Sequence, residues 1–161
     1  MSSGRPWRLF PIAATIAAFL FFPLALFAAD SWLDRMIQDA GEVKLAPETL
    51  APTDYLIAVY AERMQDIPVS PAAIPRVPGP LASGCLSLVN IETASGQRSL
   101  ASAAELTFGC TDLPSNAVIH VWTGLAWQPL PTDRRADGRM QTRFSQTATY
   151  GLFLVGDVPR I

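Results

Sequence analysis

Apolar and polar positions divide the chain into four stretches. Residues 9–29 read LFPIAATIAAFLFFPLALFAA, 21 positions without a charge and with Thr15 as the sole hydroxyl. A helix of that length rises roughly 31 Å, which matches the ~30 Å hydrocarbon core of a bilayer. Pro11 falls in the first turn, where a missing N–H costs little, and Pro23 predicts a kink. Past residue 29, Trp32, Leu33, Met36, Ile37 and Ala40 recur at helical spacing opposite Asp30, Asp34, Gln38 and Asp39. The helix is therefore expected to continue as an interfacial amphipathic segment to about residue 40, where Gly41 offers a stop.

The second stretch, residues 41–80, is broken by proline, with seven between Pro47 and Pro80. Inside it, Thr53 predicts the cap of a short helix over about 54–64, with Leu56, Tyr60 or Val59, Met64 and Ile67 on one face. Pro68, Pro71, Pro75, Pro78 and Pro80 then forbid helix and favour extended chain, which over residues 68–80 spans roughly 40 Å. The segment is expected to act as a linker that lifts a domain off the membrane. The alternative is a strap packed on that domain through Ile67, Val69, Ile74 and Val77.

From residue 81 the period changes to two. Leu106 and Phe108 alternate with Glu105 and Thr107, and Met140, Thr142 and Phe144 alternate with Arg139, Gln141 and Arg143. Residues 118–122 and 149–155 read as more fully buried strands, and turn residues such as Asp137-Gly138 separate the runs. About seven short strands predict an all-β domain over residues 81–161, a small antiparallel β-sandwich or barrel. Cys110 is in phase with Leu106 and Phe108, and Cys85 with Val89 and Ile91, so both thiols are expected to face the core. In an oxidising compartment that predicts a Cys85–Cys110 disulfide.

Residues 118–156 resemble the closing hairpins of bacterial extracytoplasmic Ig-like β-sandwich modules. The resemblance rests on Trp127 with Leu130-Pro131, the Asp137-Gly138 turn, Phe144-Ser145, and Thr149-Tyr150 with Leu152. No Trp lies between the two cysteines, unlike antibody-type domains. The resemblance implies a binding or structural module and carries over no functional residue.

Charge sets the orientation. Arg5 and Arg8 precede the apolar run with no acid beside them, which puts residues 1–8 in the cytoplasm and the rest outside. The location expected is thus the bacterial inner membrane with a periplasmic or extracellular C-terminal domain. Trp7, Arg8, Trp32 and Arg35 are the expected interface residues. A cleaved secretory signal is the alternative, although the run exceeds a typical h-region and a cut after Ala29 would leave Phe27 at the −3 position. After Arg8 the chain carries ten basic against fourteen acidic residues, which argues against a nucleic-acid partner.

Candidate chemistry is sparse. His120 is the single histidine and is expected to pack on its strand rather than to ligate a metal. GxSxG, P-loop, GxGxxG and D-x-D-x-D-G patterns are absent, and no cofactor is expected. Trp122 and Trp127 are a candidate aromatic platform, and Arg134 and Arg135 crowd one hairpin as a candidate basic knob. The expectation is a non-catalytic, single-pass protein whose partners are the bilayer and other membrane subunits. A binding module released by cleavage, with glycan as one candidate ligand, is the alternative. An envelope hydrolase acting through His120 is a third reading.

Overall fold

The computed structural model describes residues 41–69 and 71–156. The expected N-tail, membrane helix and interfacial segment, with Trp7, Arg8, Trp32 and Arg35, lie outside the described residues. Among the described residues no helix is long and apolar enough to cross a membrane.

Among the described residues nine strands are formed: β1 (Gly41–Lys44), β2 (Leu56–Ala61), β3 (Leu88–Thr93), β4 (Ser99–Phe108), β5 (Ala117–Trp122), β6 (Trp127–Pro129), β7 (Asp133–Arg134), β8 (Met140–Gln146) and β9 (Thr149–Leu154). They make two antiparallel sheets, one ordered β1-β4-β8-β7 and the other β2-β3-β9-β5-β6. The expected all-β class is what the chain builds, as two sheets rather than a barrel, but the sheets begin at residue 41 rather than 81 and hold more strands than the seven expected.

Period-two patterning explains the main core. Val89 and Ile91 of β3, Ile119 of β5, and Tyr150 and Leu152 of β9 face Leu106 and Phe108 of β4 and Met140 and Phe144 of β8 in one buried cluster. The intervening residues of β8 (Arg143 and Ser145) are exposed, so the four-stranded sheet is apolar on one face.

The five-stranded sheet differs. Its outer face carries Leu88, Phe153 and Trp127, which form a second buried cluster with Ala61, Ile67 and Ala73. The cover on this face is the proline-rich segment. It makes two 3-10 turns, Met64–Asp66 and Pro71–Arg76, and then joins the sheet beside β9. There the Leu154 N–H donates to the Pro80 carbonyl at 2.8 Å, and the Ala82 N–H to the Leu152 carbonyl at 2.9 Å. Gly79 is required at that junction, because a Cβ would collide with the Leu154 carbonyl oxygen. Gly151 serves the outer cluster in the same way, since a Cβ there would lie 2.6 Å from the Phe153 ring.

Three expectations are corrected here. Residues 56–61 form strand β2, not part of a helix over 54–64. Leu56, Ala58 and Tyr60 point one way and Ile57, Val59 and Ala61 the other, and pairing with β3 along six residues outweighs the isolated helical match. Residues 41–80 are also not a linker ahead of the domain, since they supply β1, β2 and the strap over the outer cluster. Nor are residues 68–80 extended throughout, because Pro71–Arg76 is a 3-10 helix that contains Pro75; burial of Ile67 and Ala73 holds the segment down, while Ile74 and Val77 stay exposed.

The Cys85–Cys110 disulfide is present, with Cα atoms 5.3 Å apart. Cys85 precedes β3 and Cys110 follows β4, so the bond ties the two sheets together at the end opposite the β3–β4 turn. Closing this 25-residue loop stabilises the fold by roughly 3–3.5 kcal/mol in the chain-entropy model. The paired Cys85→Ser, Cys110→Ser variant is expected to lose about 3 kcal/mol. Urea unfolding monitored by tryptophan fluorescence checks this, and an unchanged midpoint would rule it out.

Candidate interaction surface

Trp122 and Trp127 are brought together by the β5–β6 hairpin, where they are direct cross-strand partners with ring centroids 5.6 Å apart. They do not form an open platform. Trp127 is buried, stands edge-on to Phe153 at 4.9 Å, and donates its indole N–H to the Ala73 carbonyl at 3.3 Å. That bond fastens the strap to the sheet. Trp122 is half-buried against the same cluster.

The arginines are also used locally. Arg134 donates to the carbonyls of Leu113 and Pro114 at 2.8 and 3.1 Å, binding β7 to the loop before β5. Arg135 and Arg139 flank Asp137, at 3.6 and 4.0 Å. Such exposed pairs contribute about 1 kcal/mol or less. The hairpin charges therefore serve the turn they sit on.

His120 is buried on the outer face of β5, edge-on to Phe153 at 5.5 Å, with Nδ1 at 3.1 Å from the Val118 carbonyl. Burial pushes its pKa below the ordinary value, outweighing the carbonyl contact that favours the cation. Among the described residues no group of three or more His, Cys, Asp or Glu side chains converges as a metal site. A polar recess of about 310 Å³ lies beside the β3–β4 turn, lined in part by Asn90, Glu92 and Arg98. Asn90 is already engaged there, donating to Glu92 at 2.9 Å and accepting from Thr149 at 3.0 Å.

The surface that stands out was not singled out from the sequence. It is the outer side of β2, where Tyr55, Ile57 and Val59 are 62%, 43% and 47% exposed. Tyr55 accepts from the Ala94 N–H on the β3 side, and alternation of antiparallel bonding then turns the N–H and C=O of Leu56, Ala58 and Tyr60 to the other side. Among the described residues no strand pairs with that side.

The other three sheet edges are blunted in ways that discourage pairing. Strand β6 has three residues and ends in Pro129, β7 is two charged residues, and β1 is four residues carrying Glu42 and Lys44. Strand β2 has six residues and no charge, proline or glycine. On the inner face of β2 the Tyr60 hydroxyl is buried with no hydrogen-bond partner among the described residues, and burial together with the Glu42 charge pushes its pKa up to about 12. LIAVYA is apolar throughout, so no alternation in the sequence marked it as a strand or as an edge.

Comparison with protein-family models, curated proteins and solved structures returns no match to this chain.

Two outcomes are expected from these local roles. Trp127→Ala removes the fastener and a ring from the outer cluster, at a cost of about 3–5 kcal/mol. Limited proteolysis should then cut within residues 64–80, and a strap that stays protected would contradict the role given to Trp127. For His120, a folded pKa held below the unfolded 6.5 makes the unfolded chain bind the proton first on acidification. Stability from this group is thus complete above about pH 6.5 and declines as pH falls below it. Melting temperatures at pH 5 and 7.5 should differ more for the native protein than for His120→Gln.

Proposed function

We propose that this chain is a non-catalytic, single-pass membrane-anchored protein that presents a small disulfide-bonded sandwich, of the Ig-like kind that residues 118–156 resemble, for protein binding outside the cytoplasm. In this reading it is an accessory or stabilising subunit of an envelope membrane complex. The observation that carries the binding role is the contrast among edges: among the described residues three are blunted, while β2 is an uncharged strand that exposes Ile57 and Val59, with Tyr55 exposed just before it. Strand addition suits such an edge, because main-chain hydrogen bonds supply the affinity and alternate side chains the specificity. Anchoring rests on the uncharged 21-residue run and the arginines before it.

The test is recovery of the full-length chain from membranes in mild detergent, with intact-mass and size analysis. The native protein is expected at the 17.4 kDa mass of the whole chain, within a stable assembly. Val59→Lys places a charge on the outer face of β2 and is expected to weaken assembly at least tenfold while the Cys85–Cys110 bond still forms. A mass beginning near residue 30 would overturn the anchor. Unchanged assembly in Val59→Lys would overturn the binding role of β2.

A further inference from the structure

We infer that the occupant of the β2 edge is the β2 strand of a second copy of this chain, paired antiparallel about a two-fold axis through Ile57. The inference rests on the reading of β2 as the binding edge and goes further by naming what binds there.

A two-fold pairing of identical strands requires that the edge be complementary to itself. The outward-bonding residues Leu56, Ala58 and Tyr60 alternate with Tyr55, Ile57 and Val59, so any two-fold centred on a residue of β2 pairs bonding positions with bonding positions. A centre on Leu56 would set Val59 opposite Thr53 and shorten the apolar row, and charge removes two further centres. About Ala58, Asp54 of each copy would stand opposite Glu62 of the other, setting like charges face to face twice. About Val59, Leu56 would face Glu62.

About Ile57, Tyr55 of each copy faces Val59 of the other, Leu56 faces Ala58, and Ile57 faces Ile57. These are aromatic–β-branched and aliphatic cross-strand pairs of the favourable kind. Asp54 then faces Tyr60, and its carboxylate is already held by the Ser95 hydroxyl at 2.6 Å and the Ser95 N–H at 3.0 Å. The exposed row of three apolar side chains becomes a continuous row of six, and the two five-stranded sheets join into one of ten.

Net charge does not oppose this contact. Residues 41–156 carry ten acidic and eight basic groups, so two copies meet with little long-range repulsion. A six-residue pairing is small against the roughly 1,200–2,000 Å² of a standard interface. Confinement of both copies to one membrane raises their effective concentration and offsets that.

The centre on Ile57 has a direct chemical signature. Ile57 bonds inward to β3, so Ile57 opposite Ile57 is a non-hydrogen-bonded pair, with Cα atoms about 4.5 Å apart. That separation admits a disulfide. Cys85 and Cys110 are already bonded to each other, so an added cysteine is the single free thiol among the described residues.

The test is mild oxidation of full-length Ile57→Cys, Val59→Cys and Leu125→Cys in intact membranes, read by non-reducing electrophoresis and mass analysis. Ile57→Cys is expected to give at least tenfold more covalent homodimer than Val59→Cys, whose thiols are offset by four residues, or about 13 Å. Leu125→Cys, on the exposed β5–β6 turn, reports random collision. Equal or stronger dimer formation by Val59→Cys would overturn the two-fold through Ile57. Capture of the Ile57→Cys variant by a different protein alone would overturn self-pairing and leave the binding role of β2 standing. Absence of any crosslink in Ile57→Cys and Val59→Cys would also overturn self-pairing. If assembly were in addition unchanged in Val59→Lys, the binding role of β2 would fall with it.

Discussion

Leu88, Phe153 and Trp127 point away from the main core, and the chain must cover them from a second side. This constraint shapes the rest of the domain. A sheet apolar on one face needs one partner, whereas this five-stranded sheet has apolar side chains on both faces and needs two. The four-stranded sheet covers the inner face, and the proline-rich strap covers the outer one. The Trp127 bond to the Ala73 carbonyl, the Leu154 bond to the Pro80 carbonyl, and the tight approach of Gly79 fix where the strap lies.

That arrangement also explains why the conspicuous side chains are spent on structure. His120, Trp127 and Arg134 each satisfy a neighbouring backbone carbonyl, and the aromatic residues among them close the outer cluster. The strap covers Ala61 at the end of β2 but leaves Ile57 and Val59 exposed on the same face. An apolar row next to unpaired main-chain groups is what nearly all sheet edges are shaped to avoid. The disulfide holds the two sheets together at one end, which stabilises the scaffold behind that edge.

Much of the fold was legible in the residues. Alternation at Leu106 and Phe108 and at Met140, Thr142 and Phe144 located β4 and β8 and their inward faces. The phase of Cys85 and Cys110 gave the disulfide. What misled was LIAVYA, where six apolar residues fit a helix face or a strand equally well in isolation. The pairing that decides it, Leu56 with Thr93 through Ala61 with Leu88, joins segments some 27 to 37 residues apart, and no local pattern encodes that contact. The candidate surface was hidden for the same reason, since an edge exists only once the strand order is known.

Local chemistry by itself determined the all-β class of residues 81–156, the inward faces of β4 and β8, the pairing of the two cysteines and the exclusion of a long α-helix from the proline-rich run. These depend on side-chain periodicity, on proline's missing N–H and on thiol phase, all properties of neighbouring residues. Tertiary structure alone decided that the proline run is a strap, that Trp127 is its fastener, and that β2 is left open. Those outcomes depend on which faces meet when distant segments pack, and burial of Leu88 and Phe153 settles them only after the sheet has formed.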